Sequence, residues 1–339
     1  MTTSTTIRIH TEGGALVTEQ VALEVPSDGW VRVRVHASGI CGADVRTALA
    51  HEAGGPVTPG HEVAGVIEER GRGVEGWSVG DRVSVGWFGG SCGTCSACLA
   101  GDVVHCPARK VPGISYPGGW AETITVPAHA LARIPDGMTF EQAAPLGCAG
   151  VTVFTALQAV PLLPGSPVAI FGIGGLGHLA VQYAAALGYE VTAIARGAER
   201  AESARALGAS AFTDSTVHQP GRTLSDRGGV AHIISTSSST APIAELLRGL
   251  RPHGTLTVIG ADAGAISIPA GQLVMNALSI RGHLTGSPRD IETVMRFAQD
   301  TNAHARIEVL PLEEAAEGLR RVRDGEARFR VVLDASEAR

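Results

Sequence analysis

The chain of 339 residues is poor in aromatic side chains, which make up 4% of it, and has no excess of positive charge. So few rings argue against a stacking platform for single-stranded nucleic acid. Lys and Arg number 27 against 33 Asp and Glu, and this balance of −6 gives no general field for wrapping DNA or coating an anionic lipid surface. No long hydrophobic run is present. The most apolar window, Val168 to Leu187, contains Gly172, Gly174, Gly175, Gly177 and His178, and splits into a short strand and an amphipathic helix, so no membrane span is expected. The opening Met1-Thr2-Thr3-Ser4-Thr5-Thr6 lacks the basic and apolar regions of a secretion signal, which predicts a cytoplasmic protein. Neither nucleic acid nor membrane is expected as a partner.

What remains is ample for folding. Hydrophobic residues at 44% exclude wholesale disorder, and the length suggests two domains. Glycine, with 44 residues, is about twice its usual ~7% share and has no collagen period. Up to about residue 148 the chain reads as β-rich. Val31-Arg32-Val33-Arg34-Val35 alternates as a half-buried strand does, and Gly and Pro punctuate residues 54–60 and 112–119. The texture then changes. A helix over 149–160 is followed by the strand Val168–Phe171, a helix whose face is Leu176, Leu179, Ala180, Tyr183, Ala184 and Leu187, and the strand Glu190–Ala195. Further strands are predicted at 231–235 and 255–259 with a helix at 241–250 between them. Such alternation means an α/β, doubly wound parallel sheet. Beyond about Leu284, helices at 289–299 and 313–323 flank a strand at Ala305–Val309, and a last strand, Phe329–Leu333, returns to the N-terminal body.

Gly172, Gly174 and Gly177 form G-x-G-x-x-G between a strand and a helix, with Gly175 and Leu176 inside the loop. The first glycine makes the tight turn, the second lets backbone approach a pyrophosphate, and the third packs helix on strand. The helix N-terminus then offers free N–H groups to the anion. At the end of the second strand, where an acid would accept the ribose hydroxyls, stand Arg196 and, one turn on, Arg200. Guanidinium grips a 2′-phosphate, which favours NADP(H) over NAD(H). Two readings stay open beside it: both arginines as solvated charges, or Glu199 reaching the ribose.

Of six cysteines, Cys92, Cys95, Cys98 and Cys106 crowd into one segment. Four thiolates at this spacing can close a tetrahedral Zn–S4 shell, which is saturated and therefore structural. The rivals are an iron–sulfur site, which needs a shorter last spacing, and disulfides, disfavoured in a reducing compartment. A nucleic-acid-binding zinc ribbon is opposed by charge, because only Arg82, Arg109 and Lys110 are basic near the segment. Cys41, His61 and Cys148 are dispersed, and spacing alone does not assemble them.

Gly60-His61-Glu62-x2-Gly65 resembles the zinc signature of the medium-chain dehydrogenase/reductase superfamily. So do Cys41-Gly42-x-Asp44, the four-cysteine lobe, Pro145-Leu146-x-Cys148-Ala149-Gly150-Val151-Thr152 and the glycine loop, in that family's order and over essentially the whole chain. The resemblance is to its zinc-dependent alcohol dehydrogenases. It implies a GroES-like β-rich catalytic domain over 1–148 with 285–339 returning to it, a Rossmann domain over 149–284, an active site in the cleft between them, and a dimer or tetramer. It further implies a catalytic zinc on Cys41, His61 and Cys148, with Glu62 able to enter the shell and Asp44 fixing the His61 tautomer. Val151 and Thr152 would line the nicotinamide end, Arg330 would meet the pyrophosphate, and Trp87 and Tyr116 would border the substrate, with barrel packing as the alternative for both rings. Two zinc ions per chain, a nicotinamide cofactor and a small-molecule substrate follow.

The family's proton relay is missing at two points. Its Ser or Thr is Ala43 and its His is Arg46. Alanine has no proton to pass, and guanidinium stays charged. Three readings result: an alcohol/carbonyl oxidoreductase whose proton moves through water, Glu62 or His51; a reductase of an activated C=C or C=N bond; or a binding protein that has lost catalysis.

Overall fold

The computed structural model describes residues 3–9, 15–49, 56–260 and 264–336. Its strands are β1 (Thr3–Ile9), β2 (Leu16–Ala22), β3 (Trp30–Ile40), β4 (Val63–Arg70), β5 (Arg82–Val85), β6 (Thr123–Pro127), β7 (Leu131–Arg133), β8 (Pro167–Phe171), β9 (Glu190–Ala195), β10 (Ala211–Asp214), β11 (Val230–Ser235), β12 (Leu250–Val258), β13 (Ser279–Gly282), β14 (Ile307–Pro311) and β15 (Arg330–Asp334). Two units result. The first is Met1–Val151 with Thr285–Asp300 and His304–Arg339, and the second is Thr152–Leu284 with Thr301–Ala303. Among the described residues no helix is long and apolar enough to cross a membrane.

In the first unit a sheet runs in the order β14-β15-β3-β4-β5-β7, with β6 also on β3 and β1-β2 as a separate hairpin. The alternation read in the sequence decides which side faces in. Val31, Val33 and Val35 are fully buried and join Val63, Ile67, Val83, Trp120, Val331 and Leu333 in one core. Arg32 points the other way and pairs with Glu68 at 2.6 Å.

Register brings distant residues to one end of this sheet. Val331 lies opposite Ile40, Ser38 opposite Val63, and Val63 opposite Val85. One step beyond these pairs stand Arg330, Cys41, Glu62 and Gly86. Gly86 in turn packs against the Gly147 carbonyl so closely that a methyl there would overlap it, which sets the residue before Cys148 beside the same strand ends.

The second unit carries a six-stranded sheet in the order β10-β9-β8-β11-β12-β13, every pair parallel. This is the 3-2-1-4-5-6 order of a dinucleotide-binding fold. The expected strands at β8, β9 and β11 are present. β12 is longer than predicted and starts at Leu250, so the helix expected over 241–250 shrinks to Ile243–Leu246 and a 3₁₀ turn. The short outer strands β10 and β13 were not predicted, because neither Ala-Phe-Thr-Asp nor Ser-Ile-Arg-Gly has enough apolar residues to show a period.

Candidate metal and cofactor site

Cys41 leaves the end of β3 and starts the helix Gly42–Leu49. Asp44, one turn in and 2% exposed, accepts the Cys41 N–H at 2.8 Å on one oxygen and faces His61 Nδ1 at 3.1 Å with the other. One carboxylate thus holds the Cys41 backbone and the His61 ring, and leaves His61 Nε2 facing away from it. That nitrogen is buried and makes no hydrogen bond. The loop carrying His61 is fixed in turn. Gly118, Gly119 and Trp120 donate their N–H groups to the carbonyls of Thr58, Gly60 and Pro59 at 2.8–3.0 Å. Gly60 has a φ of 102° and lies against the Trp120 ring, where a Cβ would not fit.

Cys148, from a one-turn segment before the helix Ala149–Gln158, brings its sulfur to 3.9 Å from that of Cys41. This is far beyond the roughly 2.05 Å of a disulfide. It matches the edge of a tetrahedron with metal–sulfur bonds of about 2.3 Å, which is about 3.8 Å. Cys41, His61, Glu62 and Cys148 all offer ligand atoms within 4.8 Å of one another. Donor set, spacing and unpartnered nitrogen fit zinc. The hydrogen bond from Cys148 holds the Cys41 thiol well below its usual range, and the Cys148 thiol is correspondingly raised. Glu62 is fully buried, and burial lifts its carboxyl to about 7 against the pull of Arg330, whose Nη2 meets both Glu62 oxygens. Arg330, expected at a pyrophosphate, is itself only 3% exposed. Register explains this, because its strand starts where Glu62 ends the loop.

The four-cysteine lobe is built differently. Its sulfurs are 3.5–4.0 Å apart, again the edge of one tetrahedral shell, and all six cysteines are free thiols. Gly93 and Gly101 turn with φ of 71° and 81°, and the helix Ser96–Leu99 buries none of its residues.

In the second unit Gly172 turns with a φ of 90° after β8, pinned by the Thr236 hydroxyl on its carbonyl at 2.9 Å. A Cβ on Gly177 would overlap the Gly172 carbonyl, so this glycine is needed for close packing of helix on strand. Gly174 has open space around it and an ordinary φ, so the fold itself does not require glycine there, whereas an approaching pyrophosphate does. Gly175 and Leu176 lead into the helix Gly177–Ala186. Arg196 is exposed at the end of β9, and Arg200 folds back to the Ile173 carbonyl at 3.4 Å. Sequence reasoning missed Asp214, which accepts the Gly197 N–H at 2.9 Å and holds the turn after Arg196. An acid ending the third strand was the available signal. Thr152 is buried, and its hydroxyl donates to the Leu284 carbonyl at 3.4 Å.

Tyr116, read in the sequence as bordering substrate or as barrel packing, makes packing contacts within the first unit. Its hydroxyl donates to the Gly89 carbonyl at 2.9 Å, and its ring meets Trp30 edge-on at 5.5 Å. Trp87 is half-buried under the Arg109 guanidinium at 5.6 Å. Ala43 and Arg46 both lie in the helix Gly42–Leu49, and Arg46 is exposed. His51 lies outside the described residues.

Comparison with known proteins agrees in both units. Residues 27–136 match the family "Alcohol dehydrogenase GroES-like domain" and residues 175–300 match "Zinc-binding dehydrogenase". The alcohol dehydrogenase notN of Aspergillus sp. (strain MF297-2) is 37% identical over 95% of each chain. The solved cinnamyl alcohol dehydrogenase SbCAD4 of Sorghum bicolor superposes with a TM-score of 0.90 at 30% identity, covering 100% of this chain and 99% of that one. The CAD of Helicobacter pylori, complexed with NADP(H), superposes with a TM-score of 0.89 at 25% identity over 99% of each chain.

Proposed function

The chain belongs to the zinc-dependent, NAD(P)-linked alcohol dehydrogenases of the medium-chain dehydrogenase/reductase superfamily, and from that premise we propose which residues carry the reaction and which nicotinamide they prefer. Cys41, His61 and Cys148 hold a catalytic zinc, and Cys92, Cys95, Cys98 and Cys106 a structural one. The observation that carries this is the pair of free sulfurs 3.9 Å apart beside an unpartnered His61 Nε2. When bound, zinc polarises a carbonyl or acidifies an alcohol, and the nicotinamide supplies or takes the hydride. Asp44 keeps His61 Nε2 aimed, and Glu62 stays on Arg330 with its lone pairs withdrawn. Thr152 and Val151 border the nicotinamide, and Trp87 borders the substrate. The helix after Cys41 passes no proton, because Ala43 has none to give and Arg46 does not release its own. The proton at the substrate oxygen therefore exchanges with water. The same two residues favour the second reading, reduction of an activated C=C or C=N bond. Metal analysis should return two zinc ions per chain. A panel of aldehydes, ketones, enals and imines then decides between the readings, with turnover of enals or imines alone overturning the first.

NADP(H) is the preferred cofactor. Arg196 is exposed with no acid at its strand end, and one oxygen of Asp214 is already taken by Gly197 and Thr216. The NADP(H) complex of the Helicobacter relative points the same way. Arg196→Asp should shift preference toward NADH by about 1–2 kcal/mol of lost charge-assisted bonding, roughly tenfold in the ratio of kcat/KM values. An unchanged ratio removes the assignment.

The protein is a cytoplasmic homo-oligomer, a dimer or tetramer. The outer edge of β13 is unpaired among the described residues, and the helix Ala270–Asn276 buries nothing while showing Val274 and Met275, 77% and 83% exposed. Sedimentation of a monomer would overturn this.

A further inference from the structure

Gly39 lies in β3 two residues before Cys41 and is buried. Its backbone is ordinary strand: it pairs with Val332 of β15, donates its N–H to the Glu62 carbonyl at 2.7 Å, and has no positive φ. Glycine inside a strand is costly, so local conformation gives no reason for it. Its surroundings do. A methyl built on Gly39 would overlap Glu62 Oε2 and lie 3.0 Å from Glu62 Cβ and 3.1 Å from Cδ, and these are its three nearest atoms.

We infer that Gly39 is a positioning residue for the metal site, its missing side chain being the space in which the Glu62 carboxylate lies back on Arg330 instead of turning onto the metal-binding atoms of Cys41, His61 and Cys148. This rests on the metal-site reading above. Glu62 is fully buried, so its carboxylate cannot escape to water. Two partners are within its reach: the Arg330 guanidinium, and the cluster whose ligand atoms all fall within 4.8 Å of its own oxygen. Occupying the first place with a methyl leaves the second. The obstruction differs in kind from that at Gly86, where a methyl would strike the Gly147 backbone, which cannot yield. At Gly39 the severe overlap is with the end of a side chain that can rotate, and the 3.0 Å approach to Glu62 Cβ asks only a small shift of the strand. Gly39→Ala should therefore fold with its carboxylate displaced, and a carboxylate in the open position competes with substrate there.

The test uses the full-length protein with cobalt(II) exchanged for zinc. Cobalt reports its ligands through visible absorption, and difference spectra against the parent cancel the unchanged four-cysteine lobe. Gly39→Ala should alter the visible bands of the buried site and slow metal release to a chelator. It should also lower kcat/KM about tenfold, mainly through KM, the size expected when a partner that orients metal ligands is disturbed. Introduced into a Glu62→Ala background, the same substitution should change neither spectrum nor release rate. Parent-like spectrum and release in Gly39→Ala, or equal changes with and without Glu62, would overturn the inference. If the parent takes up no more cobalt than Cys148→Ser, the metal-site reading itself fails, and the inference with it.

Discussion

In the lobe, four sulfurs from one short segment surround a point that little else supports: Cys92 is exposed, and the helix Ser96–Leu99 buries nothing. At the end of the large sheet, Cys41, His61 and Cys148 come from three separate segments. Cys41 and His61 are buried, and every neighbour is in turn positioned by something else: Asp44 by the Cys41 amide, Glu62 by Arg330, the His61 loop by Trp120. On the zinc assignment proposed above, the lobe would use a metal in place of a core, whereas the sheet uses a core to assemble a candidate metal site. A saturated all-sulfur shell has no place for substrate, and a shell of two sulfurs and one nitrogen leaves one. Removing a ligand should therefore damage stability in the first cluster and chemistry in the second.

The largest effect expected is on turnover. Cys148→Ser withdraws a thiolate from a site whose walls are held by strands that do not depend on it. Losing Lewis-acid assistance costs several kcal/mol of barrier, on the order of 10³-fold in kcat. The melting temperature should stay within a few degrees of the parent, and circular dichroism with steady-state kinetics would show both. A melting loss as large as the kinetic one would erase the distinction between the clusters.

Cys95→Ser is the converse. With few buried side chains of its own, the lobe loses order with its metal, so stability should fall by several kcal/mol, roughly 10 °C in melting temperature. The fraction that remains folded at low temperature should still turn over. Equal stability of the variant and its parent would show that the lobe packs without metal.

A third prediction supplies a baseline for stability that depends on no metal. His232 in β11 is buried, hydrogen-bonded through Nε2 to Thr257 at 2.8 Å, with Nδ1 unpartnered. Burial, and secondarily Arg281, lower its pKa from 6.5 to about 4. The unfolded chain takes up this proton first as pH falls, so stability is lost progressively from about pH 6.5 down to about 4 and is unaffected above that window. This lowering from 6.5 to about 4 corresponds to about 3 kcal/mol at its full extent. His232→Gln keeps a partner for Thr257 without the titration. Comparing urea unfolding of parent and variant at pH 7.5 and pH 5 subtracts the acid loss of metal common to both. Equal acid sensitivity of the two proteins would contradict the assignment.

What could be read in the sequence divides along the same line as the clusters. Local signals were enough for the lobe, for β8, β9 and the glycine loop, because each is fixed by residues a few positions apart. The sulfur pair Cys41 and Cys148 was reached only through family resemblance, since its proximity is set by the register of β3, β4 and β5 and by the Gly86–Gly147 contact, which no spacing records. For the same reason Arg330, which the resemblance set at a pyrophosphate, reveals its Glu62 partner only once β15 pairs with β3 beside Cys41. Tyr116 stayed open between substrate pocket and barrel packing because an aromatic ring after a turn looks the same in sequence whether it borders a ligand or packs on Trp30. Asp214 and Gly39 were passed over because each meets a neighbour that only strand pairing brings near, Gly197 in one case and Glu62 in the other.

The smallest effect separates the clusters by what lies behind the ligands. The lobe sulfurs are met by weak donors, such as the Cys92 N–H at 3.5 Å from Cys106 Sγ and the Thr94 hydroxyl at 3.7 Å from Cys92 Sγ. His61 and Cys41 instead share Asp44, one oxygen each. Asp44→Asn keeps the shape but replaces one acceptor with an amide NH2. If the remaining oxygen faces Cys41 N–H, the NH2 faces His61 Nδ1 and favours the tautomer with its proton on Nε2, the atom the metal needs bare. If it faces His61, the Cys41 amide is left buried and unsatisfied. Either way affinity for the catalytic zinc should fall about 10–100-fold, or about 1.4–2.7 kcal/mol, while the lobe keeps its ion. Titrating the variant with a competing chelator should thus release one zinc early and one at the parent's midpoint. Two zinc ions leaving together at the parent's midpoint would mean that Asp44 orients nothing. The strands alone would then hold His61, and the two clusters would differ in their ligands but not in their support.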